Sequence, residues 1–245
     1  TGRGVGVLMV TQPANVRYLT GYVGSNGIAL VGAAGRVLLT DSRYAVSARE
    51  QVTSAEVVIG GRDLLADAAA RAREMAGGGG VGVEAEDITL ARHGRLGELL
   101  EGTPVEPTRA LVEDLRIVKD AGEVDAMRRA AAVVDRALGT VLAQGIVGRA
   151  ERAVAFALHE AMLTEGAEEP SFATIVASGP RGARPHHVPG PDPVPAGTLV
   201  VIDLGAVVDG YCSDMTRTVA TGDLPPRLRE IHDVCLDAQV AALAA

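Results

Sequence analysis

The sequence predicts an α/β domain followed by an α+β domain, and three observations carry that expectation. Short apolar runs alternate with helical patterns up to Leu100, the signature of strands and helices in layers. Residues 101–108 then interrupt the pattern with Gly102, Pro104 and Pro107. Beyond two long helical patterns, the texture after Gly166 turns to strands. These features place one domain over residues 1–110 and a second over 118–245.

The elements follow in order. Val5 to Val10 is a short apolar run suited to a buried strand. Ile28 to Val31 and Arg36 to Thr40 are strands joined by a turn through Gly32-Ala33-Ala34-Gly35. Val46 to Val52 reads as helix and Glu56 to Ile59 as strand. Leu64 to Met75 is rich in Ala and Arg, good helix formers, and Gly77 to Gly80 end it. Val81 to Glu84 is a strand, and Thr89 caps a helix reaching Leu100. Leu111 to Val118 is a short helix or linker. Ala121 to Gln144 and Arg149 to Glu165 are long helical patterns closed by Gly145 and Gly166. Phe172 to Ala177 is a strand. Leu199 to Val208 and Tyr211 to Ala220 flank Asp209-Gly210, a favoured hairpin dipeptide. Pro225 and Pro226 open a last helix that runs to Ala245.

Composition excludes several classes of function. The formal net charge is −8 and aromatic residues are 2%, so neither a basic stripe nor a stacking platform for nucleic acid is expected. No apolar run approaches the roughly 20 residues needed to cross a bilayer. The first ten residues lack the layout of a secretory leader, and two cysteines, Cys212 and Cys235, make no disulfide framework. A cytoplasmic location is the expectation.

Chemistry concentrates in residues 200–218. Asp203 lies inside the apolar run Val200-Val201-Ile202-Asp203-Leu204, and a buried carboxylate needs compensation. Asp214 follows on the return strand. A hairpin turned near Asp209 puts the two aspartates opposite each other or two positions off. Either way they share one face. Their repulsion is relieved by a proton or by a cation between them, and oxygen ligands suit hard or borderline cations such as Mn²⁺. Spacing alone leaves turn and cap roles equally open. A second cluster, Pro185-His186-His187, offers imidazoles that can ligate metal or donate to an oxyanion, or that are simply solvated in a proline-rich loop. His93, His159 and His232 sit in helical stretches and read as structural or surface residues.

These segments resemble the pita-bread metallopeptidases, in particular the Xaa-Pro aminopeptidase and prolidase group. The resemblance rests on Thr174 to Pro180, Pro185-His186, Asp203-Leu204-Gly205 and Ser213 to Thr218. Near the front, Asn15 to Gly21, Gly24 to Gly27 and Asp41 to Tyr44 resemble the group's creatinase-like amino-terminal domain. Lys119-Asp120 resembles the entry to its catalytic domain.

The resemblance implies five ligands (two Asp, one His, two Glu) around two divalent ions, manganese first, with cobalt, zinc or iron as alternatives. Asp203 and Asp214 match the two aspartates. His186 matches a histidine that stabilises the reacting carbonyl, and Thr216 a threonine beside the second aspartate. Paired ions of this kind activate water and polarise the scissile carbonyl. The implied reaction is removal of an amino-terminal residue before proline, a tertiary amide without N–H. A dipeptide-only prolidase is the close alternative, and a non-catalytic relative acting in binding or dimerisation the other. Homo-oligomers formed through the amino-terminal domain are implied as well. The remaining His and two Glu have no counterpart here. The expectation is therefore the first half of the catalytic domain, a fragment that binds metal weakly and is inactive alone. Three positions depart from the group's common residues without being ligands: Arg181 for asparagine, His187 for glycine and Cys212 for histidine.

Overall fold

The computed structural model describes residues 4–245; the first three residues of the predicted amino-terminal domain lie outside them. The chain forms two compact units that meet in sequence at Val118 and Lys119.

The first unit is built on a six-stranded sheet in the order β4-β3-β2-β1-β5-β6. Its strands are β1 (Val5–Val10), β2 (Gly27–Gly32), β3 (Gly35–Thr40), β4 (Glu56–Ile59), β5 (Gly80–Glu84) and β6 (Val105–Thr108). β1 runs antiparallel to β2 and parallel to β5. Both faces are covered, which is why the strands read as near-continuous apolar runs. Val7 and Met9 of β1 pack with Leu64, Ala68 and Ala72 of α3 (Leu64–Met75) and with Leu96 of α4 (Leu90–Leu99). On the other face, Val10 packs with Val16 of α1 (Pro13–Thr20), Ala48 of α2 (Ala45–Gln51) and Val112, which precedes α5 (Glu113–Ile117). The expected break at residues 101–108 is corrected in part, because Val105–Thr108 is an edge strand parallel to β5. Proline is tolerated there because an edge strand leaves N–H groups unused.

In the second unit, α6 (Ala121–Ala143) starts at a capping box between Asp120 and Glu123. It packs with α7 (Glu151–Thr164) on a small sheet. That sheet has the order β12-β9-β8, from β8 (Ile175–Ser178), β9 (Leu199–Leu204) and β12 (Met215–Ala220). A second sheet joins β7 (Glu169–Pro170), β10 (Ala206–Val208) and β11 (Tyr211–Cys212). Val200, Ile202 and Leu204 point into the core with Val176, Val134 and Leu158. By strand alternation, Val201 and Asp203 point the other way. The last helix, α8 (Pro226–Leu243), buries none of its residues within the unit.

Candidate functional site

The hairpin that carries both aspartates turns where its sequence requires. Asp209 and Gly210 have φ of 50° and 76°, and positive φ at both central residues gives the turn whose twist matches its strands. Val208 pairs with Tyr211, and further on Leu204 pairs with Met215 and Asp203 with Thr216. The register runs continuously between these pairs, but the ladder is interrupted at Gly205 and at Ser213-Asp214.

Gly205 is needed at this interruption. A Cβ there would lie 2.1 Å from the Ser213 carbonyl oxygen. Ser213 pins the break to the helix behind it. Its hydroxyl donates to the Ala130 carbonyl at 3.1 Å and accepts from the Ala206 N–H at 3.1 Å.

Asp214 therefore lies in the interruption and not within the return strand, which corrects its predicted placement. Its register is two positions from Thr216, the partner of Asp203, so both aspartates belong to one face of the hairpin. Asp203 is half-buried and Asp214 is exposed. The deep burial expected for Asp203 is thus corrected as well, because its side chain leaves the core that Ile202 and Leu204 enter. The Thr216 hydroxyl donates to Asp203 Oδ1 at 2.6 Å. Among the described residues, Asp214 has no hydrogen-bond donor or ion-pair partner. Two carboxylates on one face, one of them held by a hydroxyl, form a donor set that fits part of the shell of a hard divalent cation. Among the described residues, no group of three or more His, Cys, Asp or Glu side chains is placed to hold a metal ion.

His186 sits in the loop after β8 and is exposed. The 3₁₀ turn that opens the loop, Gly179–Ala183, lies against β9 on the face that carries Asp203. A Cβ at Gly182 would be 3.2 Å from Val201 Cγ2, and Val201 precedes Asp203 by two residues on that face. His93, His159 and His232 lie on α4, α7 and α8. Cys212 and Cys235 are free and exposed.

The polar cluster that the sequence did not reveal centres on Glu151, in the first turn of α7 and fully buried. Its Oε1 accepts from the Ser178 N–H (2.8 Å), the Ser178 hydroxyl (2.7 Å) and Arg181 Nε (2.8 Å). Its Oε2 accepts from His187 Nε2 (2.8 Å). Burial by itself would raise the Glu151 carboxyl, but these donors outweigh it and hold it at about 2. An acid at a helix start usually reads as a solvated partner of the helix dipole, so nothing in the sequence marked it. Its partners do have a signal: Arg181 and His187 are two of the three departures noted above.

Residues 125–245 match the model of metallopeptidase family M24, and residues 1–118 that of the creatinase/prolidase N-terminal domain. The uncharacterized peptidase YqhT of Bacillus subtilis is 35% identical over 241 residues, which cover 98% of this chain and 68% of that protein. An Xaa-Pro dipeptidase of Pyrococcus furiosus is 40% identical over 135 residues, covering 55% of this chain and 39% of that one. Among solved structures, an Xaa-Pro dipeptidase from Bacillus anthracis superposes with a TM-score of 0.91 at 32% identity, over 97% of this chain and 66% of that chain. An X-Pro aminopeptidase from Thermotoga maritima gives 0.92 at 31%, over 98% and 70%. The chain thus spans between 39% and 70% of the length of these relatives.

Proposed function

We propose a function on the premise that this chain belongs to metallopeptidase family M24, with a creatinase-type N-terminal domain followed by part of the catalytic domain: metal-dependent hydrolysis of the bond between an amino-terminal residue and proline. The observation that carries it is the pair Asp203 and Asp214 on one face of a hairpin, in a chain similar to Xaa-Pro peptidases along nearly its whole length.

In this reading Asp203 and Asp214 hold divalent metal, with manganese as the first candidate and two ions as the number. When bound, the metal polarises the scissile carbonyl and activates water. The chain's own residues do the remaining work. The Thr216 hydroxyl holds one oxygen of Asp203, which orients the carboxylate. The His186 imidazole donates a hydrogen bond to the carbonyl oxygen as negative charge develops there. The substrate is a peptide with proline in second position, whose tertiary amide offers no N–H for a general protease to read.

Removal of one residue from longer peptides is the first reading. The names of the Pyrococcus furiosus and Bacillus anthracis relatives favour a second, hydrolysis of Xaa-Pro dipeptides only. Turnover of Ala-Pro and Ala-Pro-Ala by the intact protein, with and without chelator, separates them. Hydrolysis of the tripeptide supports the aminopeptidase reading, and hydrolysis of the dipeptide alone supports the prolidase reading. Activity indifferent to chelator and to Asp214→Ala refutes both. Residues 1–118 match the creatinase-type domain, and self-association through it is part of this proposal. Sedimentation of the intact protein tests it, and a monomer at working concentration rejects it.

A further inference from the structure

One buried carboxylate holds both flanks of the loop that carries His186. The loop leaves β8 at Ser178 and returns at Gly190. Between those points, residues 184–189 form no helix or strand, and Val188 is 81% exposed. A segment of this kind has little packing to order it, and fixing its backbone costs conformational entropy. What ties it down is Glu151. Oε1 binds the outgoing flank through Ser178 and Arg181, and Oε2 binds the returning flank through His187 and the Gly190 N–H at 3.4 Å.

The helix supplies further ties on the returning side, where the Arg152 N–H donates to the Gly190 carbonyl and the Glu151 N–H to the Asp192 carbonyl. His187 is nevertheless the tether nearest the middle of the loop. Its side chain is only 8% exposed, and its residue adjoins exposed His186. The turn that contains His186 is closed by the His187 N–H donating to the Arg184 carbonyl at 3.2 Å. Fixing the His187 ring therefore fixes the end of the turn on which His186 sits. Arg181 and His187 converge on the two oxygens of this one carboxylate.

We infer that Glu151 is a positioning residue, and that through its hydrogen bond to His187 it sets the place of His186 for reaction. The inference rests on the reading of His186 given above. A hydrogen-bond donor to a developing oxyanion acts only if it is already in place, and a misplacement of about 1 Å can cost on the order of 100-fold in rate.

The test is a double-mutant cycle on the intact, metal-loaded protein with an Xaa-Pro peptide, using His186→Ala, His187→Ala and both together, with amide exchange of residues 183–190 followed in parallel. His187→Ala is expected to lower kcat roughly 10- to 100-fold with KM unchanged. It should also speed exchange in the loop, and add nothing once His186 is gone. Losses that multiply in the double variant, or native kcat in a loosened loop, overturn the inference and leave the His186 reading intact. Native kcat in His186→Ala removes the His186 reading itself. Glu151→Gln keeps the volume and can still accept from Ser178 and Arg181. It gives a second cycle with His186→Ala, expected to be non-additive in the same sense, and independent losses there count equally against the inference.

Discussion

Carboxylates in two regions of this molecule are treated in opposite ways. In the first unit, Glu84 at the end of β5 accepts from the Thr11 N–H (2.6 Å), the Gln12 N–H (2.9 Å) and the Asn15 amide (2.7 Å). The same Asn15 amide nitrogen donates to Glu113, and Arg116 donates to the Asn15 side-chain oxygen Oδ1. Glu113 lies below its ordinary value chiefly because Asn15 donates to it. In the second unit, the face of the β9–β12 hairpin carries Asp203 with one hydroxyl and Asp214 with no donor among the described residues. Saturated carboxylates belong to the protein's own architecture. Carboxylates left with free lone pairs on one face are available to a ligand from outside, and paired like charges favour a cation there.

If that contrast is right, the largest effect of removing a hairpin carboxylate is on function. Asp203→Ala or Asp214→Ala in the intact protein should lower kcat/KM on an Xaa-Pro peptide by at least about 10³-fold, since the metal's contribution is several kcal/mol. Chelation should do the same, with recovery on adding Mn²⁺. A steady-state assay with and without metal checks this, and retention of more than a tenth of the activity in either variant breaks the contrast.

For saturated carboxylates, the largest effect is on stability. Glu151→Ala removes the acceptor shared by Ser178, Arg181 and His187; Arg181 keeps Asp192, but each buried donor left without an acceptor costs about 1–3 kcal/mol. Amide protection at Val176 and Ser178 during urea titration reports it. Unchanged protection there would place Glu151 with the hairpin carboxylates instead.

Acid titration probes the same carboxylate without mutation. Its folded value of about 2 lies below the ordinary 4.5. The stabilisation is fully present above about pH 4.5, and it is lost as pH falls through about 2. The window is worth about 3 kcal/mol. A loss of stability between pH 4.5 and 2 that persists undiminished in Glu151→Gln would assign the transition elsewhere.

The contrast also explains what was legible in the sequence. The hairpin face could be read because strand alternation is local. Once Asp209-Gly210 set the turn, Asp203 and Asp214 had to share a side. The helix bounds at Leu64 and Met75 were legible because apolar period and glycine punctuation coincide there. The edge strand Val105–Thr108 was hidden by Pro107, since whether a strand is central or at the edge depends on neighbours distant in sequence. Helix α1 was hidden by its cap, because Gln12 is not among the residues that usually cap helices, although its side chain accepts from the Asn15 N–H. Glu151 was hidden for a third reason. Its donors lie 27 to 39 residues away, so no local pattern announces that an acid at a helix start is buried. The depth of Asp203 was not legible either, since an apolar strand implies two covered faces only when both faces have partners in the unit.

The smallest expected effect is the most discriminating. Asp214→Asn removes a charge from an exposed position that has no partner among the described residues. In metal-free protein it should change stability by less than about 0.5 kcal/mol, and relief of repulsion with Asp203 sets the sign toward stabilisation. With Mn²⁺ added, the unaltered chain should gain thermal stability by mass action, and the Asp214→Asn variant should gain less. Thermal melts with and without Mn²⁺ supply both numbers. A carboxylate whose removal is silent without metal and visible with it is held for a ligand. If Asp214→Asn instead destabilises the metal-free chain by more than about 1 kcal/mol, Asp214 is a structural residue like Glu84, and the hairpin face loses its claim to the cation.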